Sequence, residues 1–240
     1  MTGSEASESQ SSMVDRRHTD REYEGELENL RDKVLLMGAR VEEMITQAIR
    51  AFMAKNADAA RKAIDGDRQI DQLEIEIDEA CLQILARRQP VASDLRFITT
   101  TLKLVTDLER IGDLGVNICE RVVELDQEPS IGQNNPIPRI SEVAQGMVHD
   151  ALDAFVAGDA KKAEQVMERD KIVDAYYAQL FPELVAHMMA DPSVVFRSTR
   201  LLSIGKYLER IADHATNIAE MVVFMVKGED VRHLGGSSPA

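Results

Sequence analysis

The residues best suited to chemistry in this chain are acids, and they are written twice. Leu108-Glu109-Arg110-Ile111-Gly112-Asp113 is followed by Asn117, Ile118 and Glu120; Leu208-Glu209-Arg210-Ile211-Ala212-Asp213 is followed by Asn217, Ile218 and Glu220. The spacing Glu-x3-Asp-x3-Asn-x2-Glu is the same in both copies, at an offset of 100 residues. On an α-helix those positions lie close to one face, so each copy projects a ladder of carboxylates and one amide. A second acid pair recurs upstream, where Asp67 and Asp71 match Asp170 and Asp174 at an offset of 103. Two matched sets argue for an internal duplication, the second copy being three residues shorter between its middle and last helices.

The acids flank the apolar stripes instead of opposing them. Asp67, Asp71, Glu74 and Asp78 run beside Ile70, Leu73 and Ile77, while Glu109, Asp113, Asn117 and Glu120 run beside Leu108, Ile111 and Ile118. If the two helices are neighbours, their acidic rows meet along one edge. Like charges at i, i+4 destabilise a helix by about 0.2–0.5 kcal/mol per pair. Two facing rows cost more unless arginine, protons or metal ions compensate. Arg110 and Arg210 follow their glutamates directly and are expected to point about 100° away, leaving the rows to a cation. All-oxygen sites suit Mg²⁺, Mn²⁺, Ca²⁺ or iron, with zinc a further candidate. The expected ligands are Glu109, Asp113, Glu209 and Asp213, with Asp67, Asp71, Asp170 and Asp174 from the preceding helices. Tyr177 and Phe181 replace Glu74 and Asp78 in the second copy, so a site there is expected to be poorer in carboxylates.

Two other readings stay open. The acids could be a solvated face of a purely structural adaptor, read directly by a basic partner. They could also serve a carboxylate-bridged metal hydrolase or oxidase, but none of His18, His149, His187, His214 and His233 has the Glu-x-x-His spacing of di-iron enzymes. His214 is expected to make a surface or inter-helix hydrogen bond. No nucleotide-binding glycine loop and no nucleophile elbow occurs, which leaves no support for catalysis.

The elements that position these acids are helices. Apolar residues make up 44% of the 240 and aromatics only 4%, with no Trp, a palette that favours helix over strand. Residues 1–12 are small and polar, and 1–20 are expected to form a disordered extension. Apolar residues spaced by three and four predict a long helix over 22–55, and Asn56-Ala57-Asp58 is a break that offers an N-cap to a short helix ending at Ile64. Gly66 interrupts, Asp67 is placed to cap the next helix, and Pro90 ends it. A further helix from Ser93 or Asp94 carries the first ladder. The pattern restarts after a Pro-, Gly- and Asn-rich linker: one helix over 140–157, a second to about Ala190, and a last one over 193–227 with the second ladder. The expected fold is all-α, two tandem antiparallel three-helix bundles over 21–128 and 139–228, joined by a linker at 129–138 and followed by a flexible tail at 229–240.

A net charge of −14 disfavours nucleic acid and anionic lipid as partners. No apolar leader and no stretch of about 18 apolar residues is present, so the cytoplasm is the expected compartment. Cys81 and Cys119 fall in helical apolar patterns and are expected as buried free thiols.

The stretch Gln89-Pro90-Val91-Ala92-Ser93-Asp94-Leu95-Arg96-Phe97, together with Asp107 to Asp113, Asn117 and Ile118, closely resembles the PhoU phosphate-signalling regulators. Lys206 to Glu220 resembles that family's C-terminal signature. The resemblance covers residues 22–228. It implies two tandem three-helix bundles and a cytoplasmic, non-enzymatic protein, usually oligomeric and here expected as a homodimer. The implied role is repression of phosphate uptake and of the phosphate-starvation response. The implied partners are the ATPase subunit of a phosphate ABC transporter and a sensor histidine kinase, with the membrane reached only through them. It also implies multinuclear metal binding through Glu-x3-Asp motifs, here Glu109/Asp113 and Glu209/Asp213.

Overall fold

Each long apolar stripe becomes a helix, and each break falls where glycine, proline or a capping side chain stands. The structure is a computed structural model that describes residues 5–129 and 136–229, with side chains from Arg21 onward. The described residues form α1 (Glu5–Ala54), α2 (Ala57–Ile64), α3 (Asp67–Arg88), α4 (Ala92–Glu124), α5 (Ile137–Ala157), α6 (Ala160–Ala190) and α7 (Val195–Lys227). A 3-10 turn at Pro192–Val194 precedes α7, and no strand occurs among them. None of these helices is long and apolar enough to cross a membrane.

The repeat is visible in the elements: α1, α2–α3 and α4 against α5, α6 and α7. Asn56 accepts a hydrogen bond from the Ala59 amide at the start of α2, and Asp159 does the same for Lys161 and Lys162 at the start of α6. Copy one breaks at Asp65-Gly66, whereas α6 runs straight through the equivalent Glu168-Arg169 because no glycine interrupts it there.

Three expectations differ from what is observed. The α1 backbone is helical from Glu5, inside the stretch expected to be disordered; neither proline nor glycine stands between Glu5 and Glu24 to stop it. Asp67 does not cap α3. Gly66 holds the N-cap position and Asp67 is the first helical residue, which frees its carboxylate for other contacts. Finally, α5 begins at Ile137 within the expected linker, since proline in the first helical turn removes no intrahelical bond: Pro136 is the N-cap and Pro138 lies in the first turn. Residues 130–135 of the linker and 230–240 of the tail lie outside the described residues.

The two repeats share one interior. Helix α4 packs along α7, and α1 along α5, while α2–α3 and α6 lie on the outside of their own repeats. Arg96 on α4 donates to the Met225 carbonyl of α7, His214 on α7 lies against Asp107 of α4, and Arg200 pairs with Glu124. The two helices are therefore antiparallel and draw level near Ile111 and Ile211. Leu108, Ile111, Ile118, Leu208, Ile211 and Ile218 are all fully buried in one continuous apolar cluster that draws on both repeats. Cys81 and Cys119 are buried and free within it, and burial pushes both thiols up to about 12.

Glycine sets the approach of α1 to α4. A Cβ on Gly115 would lie 2.6 Å from Met44 Cγ, and Met44 is itself buried. The second repeat has Ala215 at this position, so its helices accommodate the methyl group that the first excludes. Gly115→Ala is expected to destabilise the protein by about 1–3 kcal/mol through overpacking. The check is the urea midpoint, which should fall with the m-value unchanged.

Candidate metal centre

The acid rows of α3 and α4 meet, as the helical offsets require. Asp67, Asp71, Glu74 and Asp78 come from α3, and Glu109 and Asp113 from α4. Gly112 makes the approach possible, because a Cβ there would lie 3.1 Å from Ile70 Cδ1 and 3.7 Å from Asp67 Oδ1. Each group feels the others. Burial, then Asp71 and Asp113, push the Asp67 carboxyl up to about 6. Burial raises Glu74, with Asp78, Asp71 and Asp113 adding to it and Arg110 opposing. Burial also raises Glu109, followed by Asp113, Glu74 and Asp71, again against Arg110. Desolvation raises Asp78.

One cation serves this set from within, contrary to the expected 100° offset. Arg110 Nη1 donates to Asp113 Oδ2 at 3.2 Å, and its Nε lies 3.4 Å from Glu109 Oε2. The guanidinium sits at the end of a long flexible stem, so it spans i→i+3 and folds back on its own neighbour where a short side chain would not. Glu120, expected in the same ladder, instead pairs with Arg121 at 3.2 Å.

The second cluster is built differently. Asp170 and Asp174 of α6 face Glu209 and Asp213 of α7; burial, then Asp174, Asp213 and Glu209, push the Asp170 carboxyl up to about 6. Desolvation raises Asp213, and Glu209 adds to it. Lys206, on the same face one turn before Glu209, holds both oxygens of that carboxylate, Nζ lying 2.6 Å from Oε1 and 2.5 Å from Oε2. The same ammonium stands 5.6 Å from the centroid of the Tyr177 ring. His214 turns to α4, its Nδ1 lying 2.7 Å from Asp107 Oδ1, and Asn217 Nδ2 donates to the same oxygen at 3.2 Å. That confirms the inter-helix role expected of His214. Lys206 and Asp107 stand in the sequence analysis only as the first residues of the two family motifs, with no role of their own. Aligning the copies one turn further upstream would have shown Lys206 opposite Thr106.

Among the described residues, no three carboxylate, imidazole or thiol groups converge as ligands around one point. Even so, the donor set suits a hard cation. Asp170 Oδ1 is shielded from solvent with no hydrogen-bond partner, and Glu109 Oε2 is likewise shielded with only the Arg110 ion pair beside it. Buried carboxylate oxygens without a donor are costly, and a cation removes that cost. All eight acids expected as ligands lie in the two clusters, four of them in each.

Residues 34–122 and 137–222 match the family model described as the PhoU domain, one match for each repeat. The chain belongs to the PhoU family. It is 42% identical over 219 residues to the "Phosphate-specific transport system accessory protein PhoU homolog" of Pseudomonas aeruginosa, covering 91% of this chain and 90% of that one. It is 36% identical over 220 residues to the "Phosphate-specific transport system accessory protein PhoU" of Escherichia coli K12, covering 92% and 91%. The crystal structure of PhoU from Pseudomonas aeruginosa superposes with a TM-score of 0.83 at 41% identity, over 86% of this chain and 100% of that one. The phosphate transport system regulatory protein PhoU from Streptococcus pneumoniae gives 0.81 at 32% identity, over 87% and 99%. These PhoU structures support the all-α tandem architecture, and the curated PhoU relatives are named as transport accessory proteins and not as enzymes. A phosphate-transport regulatory role follows at that level.

Proposed function

We propose that this PhoU family member is a cytoplasmic, non-enzymatic adaptor that holds divalent cations in its first acid cluster and restrains phosphate uptake and the phosphate-starvation response. The observation that carries the metal reading is the meeting of six carboxylates from α3 and α4, with Arg110 alone among the described residues to offset them. A divalent cation would supply the positive charge this set lacks, with Asp67, Asp71, Glu109 and Asp113 as its holders and Glu74 alongside. Mg²⁺, Mn²⁺, iron and zinc are the candidates, the all-oxygen donor set favouring the harder ions. The partners we propose are the ATPase subunit of a phosphate ABC transporter and a sensor histidine kinase, contacted by a homodimer. Support comes from the relatives' names as accessory proteins of the phosphate-specific transport system.

Protein purified without chelator is expected to carry bound metal, and replacing Glu109, Asp113, Glu209 and Asp213 by alanine should strip it. Elemental analysis decides this: unchanged metal content in the substituted protein would sink the site assignment. Capture of the transporter ATPase should weaken in chelator. Full capture with the metal removed would instead favour a structural adaptor whose acids are read directly, a reading consistent with the splayed carboxylates.

A further inference from the structure

The two clusters differ at three positions that the repeat makes easy to compare. Where α4 has Thr106, exposed and donating to its own helix at Leu102, α7 has Lys206. Where α3 has Glu74, α6 has Tyr177, whose ring lies under the Lys206 ammonium. With Phe181 in place of Asp78 as well, the second cluster has exchanged two acids for aromatics and gained an amine, and Glu209 already pairs with it through both oxygens. Tyr177 also fixes the local packing, since a Cβ on Gly205 would sit 3.4 Å from its ring and collide with Leu180 Cδ2. The first cluster has Arg110 instead, whose charge is delocalised over a planar group at 3.2 and 3.4 Å from its acids, whereas an ammonium is a compact point charge.

We propose that Lys206 is the resident cation of the second cluster, so that in the resting protein the first cluster alone is open to a divalent ion. This rests on the metal reading of the acids given above. The tethered ammonium competes with any ion for Glu209 and lies in the field of Asp213. The protein thus carries one loadable repeat and one repeat closed by its own side chain, an asymmetry within a duplicated fold. A neighbouring opposite charge shifts a carboxylate by about 1–3 pKa units, so cation affinity at the second cluster is reduced by about ten- to a thousand-fold.

The test exchanges the two side chains and titrates Mn²⁺ into the chelator-stripped full-length protein, reading affinity and stoichiometry by calorimetry and free Mn²⁺ by electron paramagnetic resonance. Lys206→Thr is expected to gain a binding class that wild type lacks, and adding Asp213→Asn should remove it. Thr106→Lys, a substitution at an exposed position, is expected to weaken the first class by about tenfold or more. If Lys206→Thr folds with a wild-type isotherm, or Thr106→Lys binds as wild type does, the proposal is overturned. A wild-type protein that binds no Mn²⁺, beside a Lys206→Thr variant that does, would overturn the metal reading of the first cluster while upholding the role of Lys206.

Discussion

Ile211→Ala is expected to cost about 2–5 kcal/mol and to destabilise both repeats in a single transition. Ile211 is fully exposed to neither solvent nor a loop; it has no accessible surface and lies where α7 draws level with α4 of the other repeat. Removing three carbon atoms there loses their transfer free energy and leaves a cavity in a close-packed interior that cannot easily collapse. Because the apolar cluster runs through both repeats, the loss is shared by α4 and α1 as well as by α5–α7. With no Trp in the chain, far-UV circular dichroism and calorimetry are the probes of choice. The expected result is one transition, displaced to lower temperature, with calorimetric and van't Hoff enthalpies that agree. A first-repeat transition left at its original midpoint would show that the repeats are energetically separate.

The metal-free protein should become more stable as pH falls from 7.5 toward 5, against the usual acid response. Asp67 and Asp170 titrate at about 6 in the folded chain and near 3.8 when unfolded. Between those values the folded state binds more protons than the unfolded one, so stability falls as pH rises through about 4 to 6 and is level above that. Glu74, Asp78, Glu109 and Asp213, all raised, act in the same sense. Glu26 and Asp150 act oppositely. Arg88 lowers the first and Lys162 and Arg169 lower the second, so their contributions are present above their unfolded pKa and are lost as pH falls through the depressed values. The optimum therefore lies below pH 5, and Tm at pH 5 is expected a few °C above its value at pH 7.5. Asp67→Asn with Asp170→Asn should flatten most of this slope and raise Tm at pH 7.5. Saturating Mn²⁺ should also raise Tm at pH 7.5, and its affinity should weaken below pH 6 as protons compete for the same oxygens. A metal-free Tm that rises steadily from pH 5 to 7.5 would contradict the electrostatic account of both clusters.

The helices and the face each acid occupies were legible because both follow from local periodicity. Apolar spacing of three and four marks the long helices, Asn56 and Gly158 mark breaks, and acids one residue off an apolar row must flank it. The offset of 103 between Asp67 and Asp170 likewise located the middle helices of both copies. Periodicity does not reach a residue whose role depends on side-chain length or on what surrounds it. Arg110 was placed by the direction of its Cα–Cβ bond, yet its guanidinium returns to Glu109 and Asp113 at the end of several rotatable bonds. Asp67 has the chemistry of an N-cap, but Gly66 takes that position and the carboxylate is turned to α4. Glu120 shares a face with Glu109 on paper and is drawn instead to Arg121.

By itself, the sequence determined an all-α duplicated chain, the order and approximate bounds of its helices, and two acidic ladders beside apolar seams, because each is a property of single helices. Only the tertiary structure decided that α4 and α7 run antiparallel into one shared interior, that α3 brings its acids up to Gly112, and that Asp107 receives His214 and Asn217 across the repeats. It also decided that Lys206 closes on Glu209 beside Tyr177. These outcomes depend on which helix faces meet and at what level, and no periodicity within one helix encodes the register between two.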